Sequence, residues 1–371
     1  METKFDVVVV GAGIGGACAA ISLVRRGARV CVLESGEMPR HKVCGEFLSP
    51  EISDVLARLG VLEDIKKARP SVTNAARVVT AQRQIGPFPL PRPAFALSRF
   101  KLDEILWRAA QNAGAQVCDR TRVRHIERDG DGFCVQDSRS QTRARFVIAA
   151  PGRHANLLGE TAPQADSTMR RFIGFKTHFR DAHVARGETE LHPFDGGYCG
   201  LVEVEDGLTN VCLLADYETI AGRAPEEFWA HLIGGNPALA ARVQGATRAM
   251  PWLATANIVF GKFQPQQDGV LFCGDAAGFI HPLTGDGMAM AARSGELAAA
   301  TIAACLRGGL ARADVAPIYQ SAWHREFDVR LRWGARLQPL FTTSWLTPPT
   351  MKLFARVPRL GRLAVIRTRG Q

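Results

Sequence analysis

Residues 7–16 read Val7-Val8-Val9-Val10-Gly11-Ala12-Gly13-Ile14-Gly15-Gly16, and a second apolar run, Val30 to Leu33, ends at Glu34. Four successive valines ahead of a glycine cluster predict a buried parallel strand turning sharply into a helix. Gly11, Gly13 and Gly16 stand where a side chain would block the turn, the approach of a pyrophosphate, or helix packing, with Ala12 inside the same turn. Amides opening the helix would then face the phosphates, aided by the helix dipole. Glu34, at the tip of the second strand, is placed to accept from an adenosine ribose and to repel a 2′-phosphate. The pattern therefore predicts FAD or NAD rather than NADP.

With 371 residues the chain is long enough for about two intertwined domains, and 46% hydrophobic with 22% charged residues is ordinary for a globular protein. A first strand starting almost at Met1 leaves no room for a cleavable leader, and no apolar run reaches the roughly 18 residues of a spanning helix. Nine cysteines without a CxxC pair argue against a zinc site or disulfide framework and for reduced thiols in a cytoplasm. The net charge of +10 is concentrated late: after Asp328 there is no acid, while Arg330, Arg332, Arg336, Lys352, Arg356, Arg359, Arg362, Arg367 and Arg369 are basic. Trp333, Leu337, Trp345 and Leu353 interleave with them. That mixture suits peripheral contact with an anionic membrane or an acidic carrier protein, and equally a helix pair packed on the body with a solvated basic face. No nucleic-acid partner is expected.

Along the chain, Gly36 to Pro50 reads as a loop containing Arg40, Lys42, Cys44, Gly45 and Glu46, followed by a helix that Gly60 ends. Ser98 caps a helix bearing Leu102, Ile105, Leu106 and Ala109. Phe172–Phe179, Thr189–His192, Tyr198–Val204 and Thr209–Leu214 alternate as strands, with Glu205-Asp206-Gly207 as a hairpin turn. The segment Glu226 to Val243 reads as helical. The fold expected is α/β, a Rossmann-like nucleotide domain (1–70, 96–165 and 262–310) with an inserted antiparallel β-sheet substrate domain (71–95 and 166–261). A basic C-terminal helical tail (311–371) completes it.

A late strand, Val270 to Cys273, runs into Gly274-Asp275 and then Ala276-Ala277-Gly278-Phe279-Ile280-His281-Pro282-Leu283-Thr284-Gly285-Asp286-Gly287-Met288. Here the chain resembles the para-hydroxybenzoate hydroxylase-like flavoproteins, specifically their geranylgeranyl reductase and flavin monooxygenase branch. The resemblance implies FAD as cofactor, with Asp275 on the ribityl chain and Gly285, Gly287 and Met288 against the ring. It also implies that Arg99 reaches the pyrophosphate, and Arg40 and Val123 complete the expected cofactor contacts. Lys42 to Pro50 resembles the Cys-Gly-Glu segment of the reductases, which nominates Cys44 and Glu46 as site residues. Glu46 would act as an acid or base, or pair with Arg40 or Lys42.

His281, beside the flavin loop, is the histidine nominated for catalysis, and Tyr198, His192 and His178 are weaker pocket candidates. Where aromatic hydroxylases carry Asp-Gly, this chain has Ala150-Pro151-Gly152-Arg153-His154, so the family's mode of engaging NADH or NADPH lacks its carboxylate. The Trp-x-Trp-x-Ile-Pro signature of halogenases is absent. Together these features predict an FAD-dependent monooxygenase acting on an apolar small molecule or carrier-bound intermediate of a biosynthetic pathway. Reduction of a carbon-carbon double bond is the alternative, and a flavoprotein that mainly docks to a membrane or partner is a second one.

Overall fold

The computed structural model describes residues 5–80, 83–152, 171–343 and 345–357. The valine run lies in the strand Phe5–Val10, where Val7 registers with Val30 on one side and with Phe146 of the strand Gln141–Ala149 on the other. Gln116–Cys118 and Val270–Phe272 extend this parallel sheet at its two sides. Val7 and Val9 pack beneath helices, whereas Val8 and Val10 pack on the ribbon formed by Val123–Asp129 and Gly132–Asp137. Burial on both faces explains why the run shows no alternation.

The helix Ile14–Val24 leaves the strand through a turn that only glycine permits. Gly11 has φ of 98°, and a Cβ there would lie 2.2 Å from the Ala150 carbonyl oxygen. A Cβ on Gly16 would lie 1.9 Å from the Gly11 oxygen, so Gly16 serves the turn itself. Close packing of a second helix falls instead to Gly15: Gly287–Leu306 crosses there, and a Cβ on Gly295 would lie 2.1 Å from the Gly15 oxygen.

The inserted sheet contains Phe172–Arg180, Leu208–Asp216, Gly197–Glu203 and Glu188–Phe194, followed by Ser71–Val79, Gln84–Ala96 and Phe47–Leu48. It is antiparallel as expected except where Glu188–Phe194 runs parallel to Ser71–Val79, with Glu188 opposite Ala75. Those two strands come from separate excursions of the chain, so no hairpin dictates their direction. The segment expected to be helical from Glu226 to Val243 forms two helices, Pro225–Gly235 and Pro237–Val243. Pro237 has no amide to continue the first, and Asn236 caps the second through Leu239 N at 3.1 Å. The predicted cap at Ser98 is present, accepting from Lys101 N at 3.1 Å.

The tail is not a separate layer. Its long helix, Val315–Thr342, buries Tyr319, Trp323 and Phe327 in the core beside the nucleotide sheet, and the Tyr319 hydroxyl donates to the Phe272 carbonyl. The helix Thr347–Arg356 exposes Lys352, Leu353 and Arg356. The basic residues Arg359, Arg362, Arg367 and Arg369 lie outside the described residues, as do Arg153 and His154. No helix among the described residues is long and apolar enough to cross a membrane.

Gly295→Ala tests the helix crossing. Alanine would gain about 1 kcal/mol of helix propensity, yet overpacking against backbone should give a net loss of about 1–3 kcal/mol in urea unfolding. Gly234→Ala, in a helix where an added Cβ meets nothing within 4 Å, should instead be neutral or stabilising. Equal responses of the two variants would refute the crossing.

Candidate active site

A cleft of about 980 Å³ opens at the carboxyl ends of the parallel strands, lined there by Val10, Leu33, Ala150 and Cys273, and continues beneath the inserted sheet. At the glycine turn, the helix Ile14–Val24 begins at Gly13 with no side-chain cap and no acid in its first turn. A Cβ on Gly13 would meet only Lys42 Nζ, at 3.7 Å. Uncapped amides, an open glycine and a nearby ammonium form a cradle for an anion.

The charges behind that cradle were only partly expected. Asp103 is fully buried and receives Lys42 Nζ at 2.6 Å and the Arg99 guanidinium as a fork at 2.9 Å for both nitrogens. Burial alone would raise its carboxyl pKa, but Arg99 and Lys42 hold it below the usual range. Two cations against one carboxylate leave one positive charge facing the Gly13 side, which suits a pyrophosphate. Glu34 accepts from Ala12 N at 2.8 Å and from Gly36 N at 3.0 Å, and pairs with Arg40 at 2.9 Å. Burial opposes its ionisation, yet those amides and Arg40 lower its pKa, so it presents a carboxylate to a ribose. Val123 lines the same end of the cleft.

Farther in, Asp275, Gly285, Gly287 and Met288 line the cleft. Gly285 has φ of 65°, and a Cβ on it would lie 2.9 Å from the Phe47 ring, so the backbone comes close to the cleft floor. Gly274 N donates to Ser294 Oγ at 2.9 Å, and Asp286, buried behind the loop, pairs with Arg330 at 3.0 Å. These contacts fix the loop ahead of the helix Gly287–Leu306, whose N-terminus points at the cleft. The site accommodates FAD: an anion cradle, a ribose acceptor and a glycine-lined floor before a helix N-terminus are all present.

The Cys-Gly-Glu segment behaves differently from expectation. Glu46 pairs with neither Arg40 nor Lys42, which are engaged by Glu34 and Asp103. It accepts from Lys176 Nζ and from Arg99 N at 2.6 Å, with His178 Nε2 2.7 Å from its other oxygen. Burial would raise the Glu46 pKa, but the His178 hydrogen bond and the Lys176 charge bring it below the usual value. His41, Glu46 and His178 offer three potential metal ligands, but the Lys176 ammonium already fills the cation position on this carboxylate. Cys44 lines the cleft with its Sγ 3.9 Å from the Met288 sulfur.

Lys176 was not among the expected site residues. Its signal lay in Phe172-Ile173-Gly174-Phe175-Lys176-Thr177-His178, where period two puts Lys176 and His178 on the Gly174 face, and Gly174 lines the cleft.

His281 is buried behind the cleft wall, with ring centroids 4.6 Å from Phe260 and 5.9 Å from Tyr198, and its Nε2 has no hydrogen-bond partner. Burial pushes its pKa down to about 3, so the ring is neutral. Tyr198 lines the cleft, His178 stands behind Glu46, and His192 pairs with Glu190 at 3.1 Å away from it.

The FAD binding domain family matches residues 4–322. The chain belongs to this family. A relative, digeranylgeranylglycerophospholipid reductase 2 of Methanopyrus kandleri, is 26% identical over 366 residues, covering 91% of this chain and 87% of its own length. Conditioned medium factor receptor 1 of Dictyostelium discoideum is 26% identical over 329 residues, and the match covers 80% of this chain but 63% of that protein. Among solved structures, a flavin-dependent brominase superposes with a TM-score of 0.81 at 19% identity, covering 99% of this chain and 93% of its own, a likeness of fold. The protein is an FAD-dependent oxidoreductase, as the two glycine motifs imply.

Gly13→Val should leave the fold intact, because only the flexible Lys42 side chain is near, while removing co-purified flavin absorbance; retained FAD would refute the cradle. Glu46→Gln should destabilise by about 3–5 kcal/mol, since Lys176 stays buried without its counter-charge. A carboxylate with a lowered folded pKa stabilises above the unfolded value, and that stability disappears as pH falls through the folded one. Acid unfolding of Glu46→Gln should therefore be shallower than that of the wild type between pH 5 and the acid limit, and parallel curves would refute the pairing.

Proposed function

We propose that this enzyme is an FAD-dependent monooxygenase that inserts oxygen into an apolar molecule, free or presented on a carrier, in a biosynthetic pathway. The observation that carries this reading is the continuity of the nucleotide cradle with an apolar chamber. Beyond Met288 the wall includes Leu90, Leu191, Tyr198, Leu201, Leu214 and Ile258, contributed mainly by the inserted sheet, with Thr189 and Thr255 adding hydroxyls. FAD, when bound and reduced by NADH or NADPH, supplies the electrons that activate dioxygen. The chain supplies the dry chamber, in which a reactive oxygen species is protected from water, and orientation of the substrate against the Gly285 to Met288 floor.

This division of labour asks for few polar groups. Glu46, the buried acid at the chamber edge, is tied up by Lys176 and His178, and His281 is neutral behind the wall. The basic tail adds peripheral contact with a membrane to this reading.

The second reading, double-bond reduction, is favoured by Cys44, a cleft-lining thiol beside Met288 that would protonate the carbon opposite hydride delivery, and by the name of the Methanopyrus relative. Oxygen-electrode and mass measurements on turnover separate the two. The monooxygenase consumes dioxygen with product and adds one oxygen atom, and Cys44→Ser changes its rate by no more than about threefold. A product gaining two hydrogens under anaerobic conditions, with a Cys44→Ser loss of about 10²-fold or more, establishes the reductase instead.

A further inference from the structure

We propose that the C-terminal helix Thr347–Arg356, with Trp345 ahead of it, seats the enzyme on the surface of an anionic lipid bilayer. Of the large apolar side chains that the described residues expose, three cluster here: Trp345 at 73%, Leu353 at 49% and Val357 at 39%. Lys352 and Arg356 are spaced i, i+4 with Leu353 next to the first, and Val357, the residue that ends the helix, follows Arg356, so basic and apolar groups are exposed side by side. A surface helix packed for its own stability turns such leucines and valines inward and the charges outward. This one turns both outward while anchoring its other side: Thr347 is buried and its hydroxyl donates to the Leu340 carbonyl at 2.9 Å.

Charge complementarity selects the occupant. No acidic residue follows Asp328, so nothing in the sequence of the tail repels an anionic surface. Each lysine or arginine near such a surface contributes about 1 kcal/mol, and a tryptophan ring suits the headgroup level. An apolar protein groove would match Trp345 and Leu353 but leave two cations to desolvate. A bilayer interface takes up both groups at once.

The location gives the docking a purpose, and this step rests on the apolar-substrate reading above. The helix packs against the strand Gln84–Ala96, whose Leu90 lines the apolar end of the cleft. A bilayer under this helix lies next to the substrate half of the molecule, so the substrate class is a lipid-soluble compound taken from the membrane.

The experiment is co-sedimentation of the FAD-loaded full chain with vesicles of phosphatidylcholine alone or mixed with phosphatidylglycerol. The expected result is binding to the anionic vesicles, weakened by salt, and little binding to the neutral ones. Lys352→Gln with Arg356→Gln should weaken anionic binding about 30-fold, from two lost charges, and Trp345→Ser with Leu353→Gln at least about tenfold. All four positions are solvent-facing, so retained flavin absorbance verifies folding of each variant. Wild-type protein left in the supernatant, or variants that bind like the wild type, overturns the proposal; so does binding to an acidic carrier protein without binding to vesicles. The readout needs no turnover, so docking and the monooxygenase reading fail independently.

Discussion

The buried carboxylate of Glu46 fastens the two halves of this enzyme together. A lone ionised carboxylate carried out of water would cost several kcal/mol or lose its charge. Here Lys176 and His178 come from the inserted sheet, and the amide of Arg99 comes from the start of a nucleotide-domain helix. Glu46 itself sits at φ of 56°, a conformation a non-glycine residue keeps only when its surroundings over-determine it. With that residue pinned, Phe47–Leu48 can pair with Phe95 and Ala96, and Cys44 is held against Met288. The joint between the domains is thus also the midpoint of the cleft, where cofactor and substrate must meet.

Electrostatics divides the cleft into two solvents. At the nucleotide end Lys42 and Arg99 outnumber Asp103, and an uncapped helix N-terminus adds its dipole to the excess positive charge. At the chamber end, burial leaves the His281 ring neutral and raises the Tyr198 hydroxyl pKa well above its ordinary value. A cofactor with a charged pyrophosphate and an aromatic ring matches that gradient in only one direction. Glu205, in the turn of the inserted sheet, reinforces the same alignment by accepting from Ser98 N at 2.8 Å, beside Arg99.

What the sequence reveals and what it hides follow from the range of the forces involved. The turn is legible at Gly16 because the clash it avoids is with the Gly11 carbonyl five residues back, whereas the Ala150 carbonyl that crowds Gly11 is far away in sequence; the break at Asn236-Pro237 carries its own local signal in the proline. Partners of the loop cations were not: Arg40, Lys42 and Glu46 are neighbours in sequence, yet Glu46 selects Lys176, 130 residues away, because folding buries the two together. Proximity along the chain favoured the pairing that solvent would permit, whereas burial enforces the one that leaves no charge alone. The parallel contact of Glu188–Phe194 with Ser71–Val79 was hidden for a related reason, since nothing local links the two strands.

The tail shows why composition alone misplaces a function. Its basic residues look like one continuous patch, but Arg330 is consumed by the fold, buried on Asp286 and Glu326, while Arg336, 6.0 Å over the Trp333 ring, and Arg332, donating to the Asp328 carbonyl, stay exposed on the long helix. Trp323 and Phe327, on the same long helix, pack into the core. Among the described residues of the last helix, Lys352 and Arg356 lie beside Leu353 and Val357, so cations and apolar surface are turned to solvent together there. A membrane contact confined to one terminal helix holds the body by a single edge, so the cleft keeps its access to dissolved nicotinamide cofactor while its apolar end stays near the lipid.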